Sequence, residues 1–147
     1  MNLVIDTNLV ISGLITPNGT ISKLILKDLP NSKLICPKFL LDELNDKFEK
    51  IKKITGLSDG QVKEMTFHFL KRIDFIEDDL IDFEYQNLAY NLVHDVDKKD
   101  LLFVALALQT GYILWTGDKK LIKGITSKGF DQIITTNELL KISRLRK

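Results

Sequence analysis

The sequence predicts an α/β fold, a mostly parallel sheet sandwiched by helices, and two observations carry that expectation. Short apolar runs that stop in small polar turns alternate along the chain with stretches whose apolar residues recur at helical spacing. No internal repeat and no Gly/Ser-rich linker interrupts the alternation, so residues 1–147 are expected to form one domain. The 44% hydrophobic and 28% charged content is an ordinary globular balance and argues against disorder.

The elements follow in order. Leu3, Val4 and Ile5 read as a buried strand that stops at Asp6. Pro17, Asn18 and Gly19 break the chain, and Ile21, Leu24, Ile25 and Leu29 then mark one helical face with Thr20 as its cap. Lys33 to Cys36 read as a second strand, with Pro37 placed to open the next helix. That helix carries Leu41, Leu44, Phe48 and Ile51 at three-four-three spacing and closes at Gly56. Ser58 and Gln61 form a capping box for another helix, whose stripe is Val62, Met65, Phe69 and Ile73. Phe75 and Ile76 suggest a weak strand, and the acids from Glu77 to Glu84 suggest a solvated turn and helix start. Leu88 and Leu92, with Ala89, mark a short helix.

Leu101 to Leu108 form a helix apolar on all sides, so it must be buried; Asp97 is its natural cap, and Gly111 ends it. Tyr112 to Trp115 read as a strand ending in Thr116, Gly117 and Asp118. Leu121 and Ile122 suggest a short helix, and Ile133 and Ile134 a last strand. Thr135 and Glu138 make a capping box for the terminal helix. A basic tail from about residue 143, with Arg144, Arg146 and Lys147, is expected to be mobile.

Four acids fall at strand ends or helix starts: Asp6, Glu43, Asp100 and Asp118. In a parallel sheet, strand C-termini and the helix N-termini that follow share one edge, and all four can reach it. Asp97 is explained as a cap, whereas Asp100 in a buried first turn needs a partner. Ionised carboxylates at close range repel by roughly 1–4 kcal/mol per pair, so such a cluster needs retained protons or a divalent cation. Oxygen donors without His or Cys favour a hard ion, Mg²⁺ or Mn²⁺. Asn8, Ser12 and Thr116 are suited to orient carboxylates or a water. The two histidines, His68 and His94, lie far apart and suggest no metal role. Cys36 is the only cysteine, which excludes an intramolecular disulfide and a thiolate metal site; it reads as a small buried hydrophobe.

Asp6-Thr7-Asn8 after a first strand, Glu43 in the helix after the second, Asp100 ahead of an Ala/Leu-rich helix, and Thr116-Gly117-Asp118 after a strand together resemble the PIN-domain family, in its small single-domain prokaryotic branch. The likeness runs from Asn2 to about Leu140. It implies a three-layer α/β/α sandwich, a Mg²⁺ or Mn²⁺ site and frequent homodimers. Many members are metal-dependent ribonucleases, and some are the toxins of toxin–antitoxin pairs. Carried over by position, Asp6, Glu43, Asp100 and Asp118 are the acidic quartet, with Asn8 and Thr116 as supporting polar residues. The choice of Asp100 over Asp97 depends on register.

A divalent-metal-dependent endoribonuclease is the leading expectation, with RNA as substrate, an antitoxin as partner in the toxin reading, and a homodimer as assembly. The alternative is a non-catalytic RNA- or protein-binding module on the same fold, in line with the net charge of +1. Lysines 47, 50, 52, 53, 119, 120 and 123 could line a binding groove, although solvated helix faces carry such runs more often. A haloacid-dehalogenase-like phosphatase would need a second aspartate where Asn8 stands. No secretion signal is visible and no apolar run approaches the roughly 20 residues that span a bilayer, so a cytoplasmic protein without membrane association is expected.

Overall fold

Strand β1 (Asn2–Ile5) lies at the centre of a five-stranded sheet, with Leu3, Val4 and Ile5 fully buried. On one side it pairs with β2 (Lys33–Pro37), which pairs with β3 (Ile73–Ile76). On the other it pairs with β4 (Ile113–Trp115), which pairs with β5 (Ile133–Ile134). The order is β3-β2-β1-β4-β5, and every pairing is parallel. The structure, a computed structural model, describes residues 1–145, so Arg146 and Lys147 of the expected tail lie outside the described residues.

Parallel strands need crossover connections, and helices supply them, making a three-layer α/β/α sandwich. One layer gathers α1 (Thr7–Ile15) with α2 (Thr20–Lys23), α3 (Leu40–Asp46), α4 (Phe48–Thr55) and α5 (Asp59–Leu70). The other is built on α6 (Phe83–Val93), α7 (Leu101–Thr110) and α8 (Lys119–Thr126). Helix α7 packs on β1, β2 and β4 as well as on α6, which is why Phe103 to Ala107 are buried without a solvent face. It ends at Gly111 (φ 73°), a left-handed conformation that suits glycine. Helix α9 (Thr136–Leu145) closes the described chain and takes in Arg144, which the sequence places in the mobile tail.

Several boundaries differ from the sequence expectation for local reasons. Pro37 ends β2 instead of opening a helix, because it pairs with Ile76 and the next N–H, of Lys38, bonds to the Ile76 carbonyl. The helix expected through Ile51 is broken at Lys47, whose N–H is shared between the Glu43 and Leu44 carbonyls; that tightened turn re-aims the axis. Thr20 is the first residue of α2 and Gly19 takes the cap position; the helix widens into a π-helical turn over Leu24–Asp28. The Arg72 guanidinium bonds the Ile25 and Leu29 carbonyls there, both at 2.9 Å, satisfying groups at the end of that turn. Ile73 belongs to β3, not to the stripe of α5. On α6 the buried face is Ala89 and Val93, and Leu88 points outward at 47% exposure.

Both expected capping boxes form. Ser58 Oγ accepts from Gln61 N–H and Gln61 Oε1 from Ser58 N–H. Thr135 and Glu138 make the same reciprocal pair. Cys36 is buried, and burial pushes its thiol up. Among the described residues no single helix is long and apolar enough to cross a membrane.

Candidate metal centre

The strand order changes direction between β1 and β4, and in open parallel sheets the crevice beyond the strand C-termini at such a point is where ligands sit. The pairing of Ile5 with Trp115 brings the next residues of both strands together. They are Asp6 and Thr116, both buried. The Thr116 hydroxyl donates to the Asp6 carboxylate and accepts from the Asp118 N–H at 3.2 Å, so one buried threonine ties two acids from different crossovers.

Each acid occupies a helix start. Asp6 caps α1, accepting from Leu9 N–H at 2.9 Å, and Asp118 caps α8, accepting from Leu121 N–H at 3.1 Å. Burial pushes the Asp6 carboxyl above its ordinary range, and the charge of Asp118 adds to that. The Thr116 hydroxyl and the N–H groups of Leu9 and Asn8 oppose it. A short 3₁₀ turn, Lys98–Asp100, leads into α7, and Asp97 caps the turn by accepting from Lys99 N–H at 3.0 Å. Asp100 stands at the cap position of α7 but makes no capping bond.

The Asp100 carboxyl is the one left short of partners. Its Oδ2 is buried and has no hydrogen-bond partner among the described residues. Burial, followed by the charges of Asp97, Asp6, Asp118 and Glu43, pushes its pKa up to about 7. One oxygen each from Asp97, Asp100 and Asp118 lie within 4.8 Å of one another. An all-oxygen donor set, an orphaned buried carboxylate oxygen and three converging acids fit a hard divalent cation.

The four sequence-selected acids therefore share one edge, with different closeness. Asp100 and Asp118 belong to the group of three; Asp6 is joined to it through Thr116, and its charge reaches Asp100. Glu43, on α3, is held by the Thr7 hydroxyl, which donates to its Oε1 at 2.6 Å. Thr7 was not singled out from the sequence; its place directly after Asp6, in the first buried turn, was the available signal. Asp97, expected to cap α7, caps instead the 3₁₀ turn that leads into it, and it is also the third member of the group; its spacing of three from Asp100 puts both on one side of the turn. Asn8 is exposed and contributes its backbone N–H to Asp6. Ser12 is exposed on α1, and what it contributes is its carbonyl, which accepts from Thr16 N–H. His68 is exposed on α5 and His94 just beyond α6, and neither belongs to the group of three acids.

A parallel α/β/α domain with acids gathered at its switch point defines the class to which the comparisons also lead. The family model of the PIN domain matches residues 4–139, and the chain belongs to the PIN-domain family. Among solved structures it is similar to a chain in the crystal structure of VapBC2 from Rickettsia felis bound to a DNA fragment from their promoter. The TM-score is 0.63 at 18% identity, over 92% of this chain and 97% of that one, a likeness of fold. No curated protein matches the chain.

Proposed function

We propose that this chain is a divalent-metal-dependent endoribonuclease, one PIN-like domain spanning residues 1–147, with Mg²⁺ or Mn²⁺ as its ion. The observation that carries the reading is the buried, unpartnered Asp100 Oδ2 beside the oxygens of Asp97 and Asp118. In this reading Asp6, Asp97, Asp100 and Asp118 hold the cation. When bound, it offsets charge on the scissile phosphate and lowers the pKa of a water. Thr116 keeps Asp6 and Asp118 in a fixed relation. Glu43 has its Oε1 engaged by Thr7, which leaves Oε2 to accept the proton of the water that attacks phosphorus; the breaking P–O bond leaves its electron pair on the departing ribose oxygen, which takes a proton from solvent. Lys98, Lys99, Lys119 and Lys120 are exposed next to the acids and supply positive charge for flanking phosphates, which answers the low net charge of the whole chain.

Cleavage of RNA by the purified chain with Mg²⁺ or Mn²⁺ tests this directly. Asp6→Asn and Asp100→Asn should each lower the rate more than about tenfold while remaining folded. Unchanged cleavage by either folded variant removes that acid from the site, and absence of cleavage together with absence of Mn²⁺ binding favours the non-catalytic binding module.

The toxin reading is the more specific version of the same function. It is supported by the family and by the fold shared with a VapBC2 chain. We infer a cytoplasmic protein that assembles as a homodimer and is held by an antitoxin, and co-expression with the product of an adjoining small open reading frame tests the pairing. Growth arrest on expression alone, relieved by that product, is the expected outcome.

A further inference from the structure

Helix α8 touches the acid cluster twice. Its first turn is capped by Asp118, and further along, Gly124 receives the turn that carries Asp97. A Cβ built on Gly124 would lie 2.5 Å from Cγ2 and 3.1 Å from Cγ1 of Val96, the residue before Asp97. Contact that close leaves no room for any side chain at position 124 without a shift of Val96. Val96 is β-branched and stiff about its first torsion, so its displacement carries the backbone with it. The same turn is gripped from just beyond α8 by Lys128. Its ammonium donates to the Leu92 carbonyl at 3.0 Å and the Asn91 carbonyl at 3.4 Å, at the end of α6, and pairs with Asp95. Lys128 also holds the Asp95 carboxyl below its ordinary range. The Asp97 N–H, in turn, bonds back to the Val93 carbonyl at 2.9 Å.

We propose that Gly124 is a positioning residue of the metal centre: its bare backbone seats Val96 on α8, and that seat sets how closely Asp97 approaches Asp118. One helix then spaces two of the three clustered acids, with Lys128 as the second fastening of the same turn. This rests on the reading of the cluster as a divalent-cation site. It assigns a role to three residues that lie outside the group of Asp97, Asp100 and Asp118.

The test is titration of the full chain with Mn²⁺ alone, followed by calorimetry, beside melting of each variant in EDTA. Gly124→Ala should weaken Mn²⁺ binding about tenfold, the range typical of groups that orient ligands. Its metal-free Tm should stay near the parent's, since alanine is the better helix former. Val96→Ala combined with Gly124→Ala removes the colliding methyls and should restore affinity to within about threefold of the parent. Lys128→Met, which touches neither Gly124 nor an acid of the cluster, should weaken binding in the same direction. Parental affinity in Gly124→Ala overturns the proposal, whatever Lys128→Met does. So does a loss in Gly124→Ala that the double variant fails to reverse, whether in affinity or in metal-free Tm. Absence of Mn²⁺ binding by the parent chain instead overturns the cation-site reading beneath it.

Discussion

Asp100 holds its proton to about pH 7, against an ordinary 3.8, because burial and four neighbouring acids all disfavour its charge. The sign of the stability effect follows. Between those two values the unfolded chain has released the proton and the folded chain still binds it, so stability falls as pH rises across the window and levels off above it. Asp6, raised chiefly by burial, contributes in the same sense. In EDTA, Tm should therefore decline from about pH 4 to pH 7, and Asp100→Asn should flatten the decline and melt higher at pH 8. The gain corresponds to about 3 °C for each kcal/mol of relieved charge burial in a chain of this size. A Tm profile of Asp100→Asn parallel to the parent's would show that Asp100 is not the titrating group. Thr116 is the other residue on which the site turns. Replacing it with valine keeps the shape and removes the hydroxyl that serves Asp6 and Asp118, at a cost of about 1–3 kcal/mol readable by urea denaturation.

At the level of elements, the helix starts marked by reciprocal capping boxes are legible in the sequence. Ser58 with Gln61 and Thr135 with Glu138 announce their helices through side chains that bond locally, and both boxes form. Ser58→Ala should cost about 1 kcal/mol, measurable as a lower urea midpoint without a change in slope. Elements whose limits depend on distant partners were read less well. Pro37 looks like a helix opener until the pairing with β3 claims it, and Ile73 looks helical until β2 claims it. In α6 the small Ala89 is buried and Leu88 turns outward, so hydrophobicity alone marks the helix but not its packed face. The acids were legible as a set because strand ends in a parallel sheet converge whatever the details. Which acids touch was not, since the grouping of Asp97 with Asp100 and Asp118 depends on the path of one turn.

At the scale of the whole molecule, the site is a joint between the two halves of the sheet. A cation bound by acids from both halves stabilises the folded chain by mass action, so excess Mn²⁺ should raise Tm, and more at pH 8 than at pH 6, where Asp100 keeps its proton. An equal rise at both pH values would separate Asp100 from the ion. The central place of β1 has a further consequence for time rather than for equilibrium. Its partners β2 and β4 flank it on opposite sides, β4 from more than a hundred residues along the chain, and the bond between Asp6 and Thr116 closes a loop that encloses most of the sequence. Such distant pairings are reached late in folding, because closure entropy must be met before they return any energy. During refolding, Mn²⁺ affinity should accordingly emerge with the slowest phase, after helical signal has recovered. A chain released before β4 is made would carry Asp6, Glu43, Asp97 and Asp100 but lack Thr116 and Asp118, so the proposed site is complete only with the last third of synthesis.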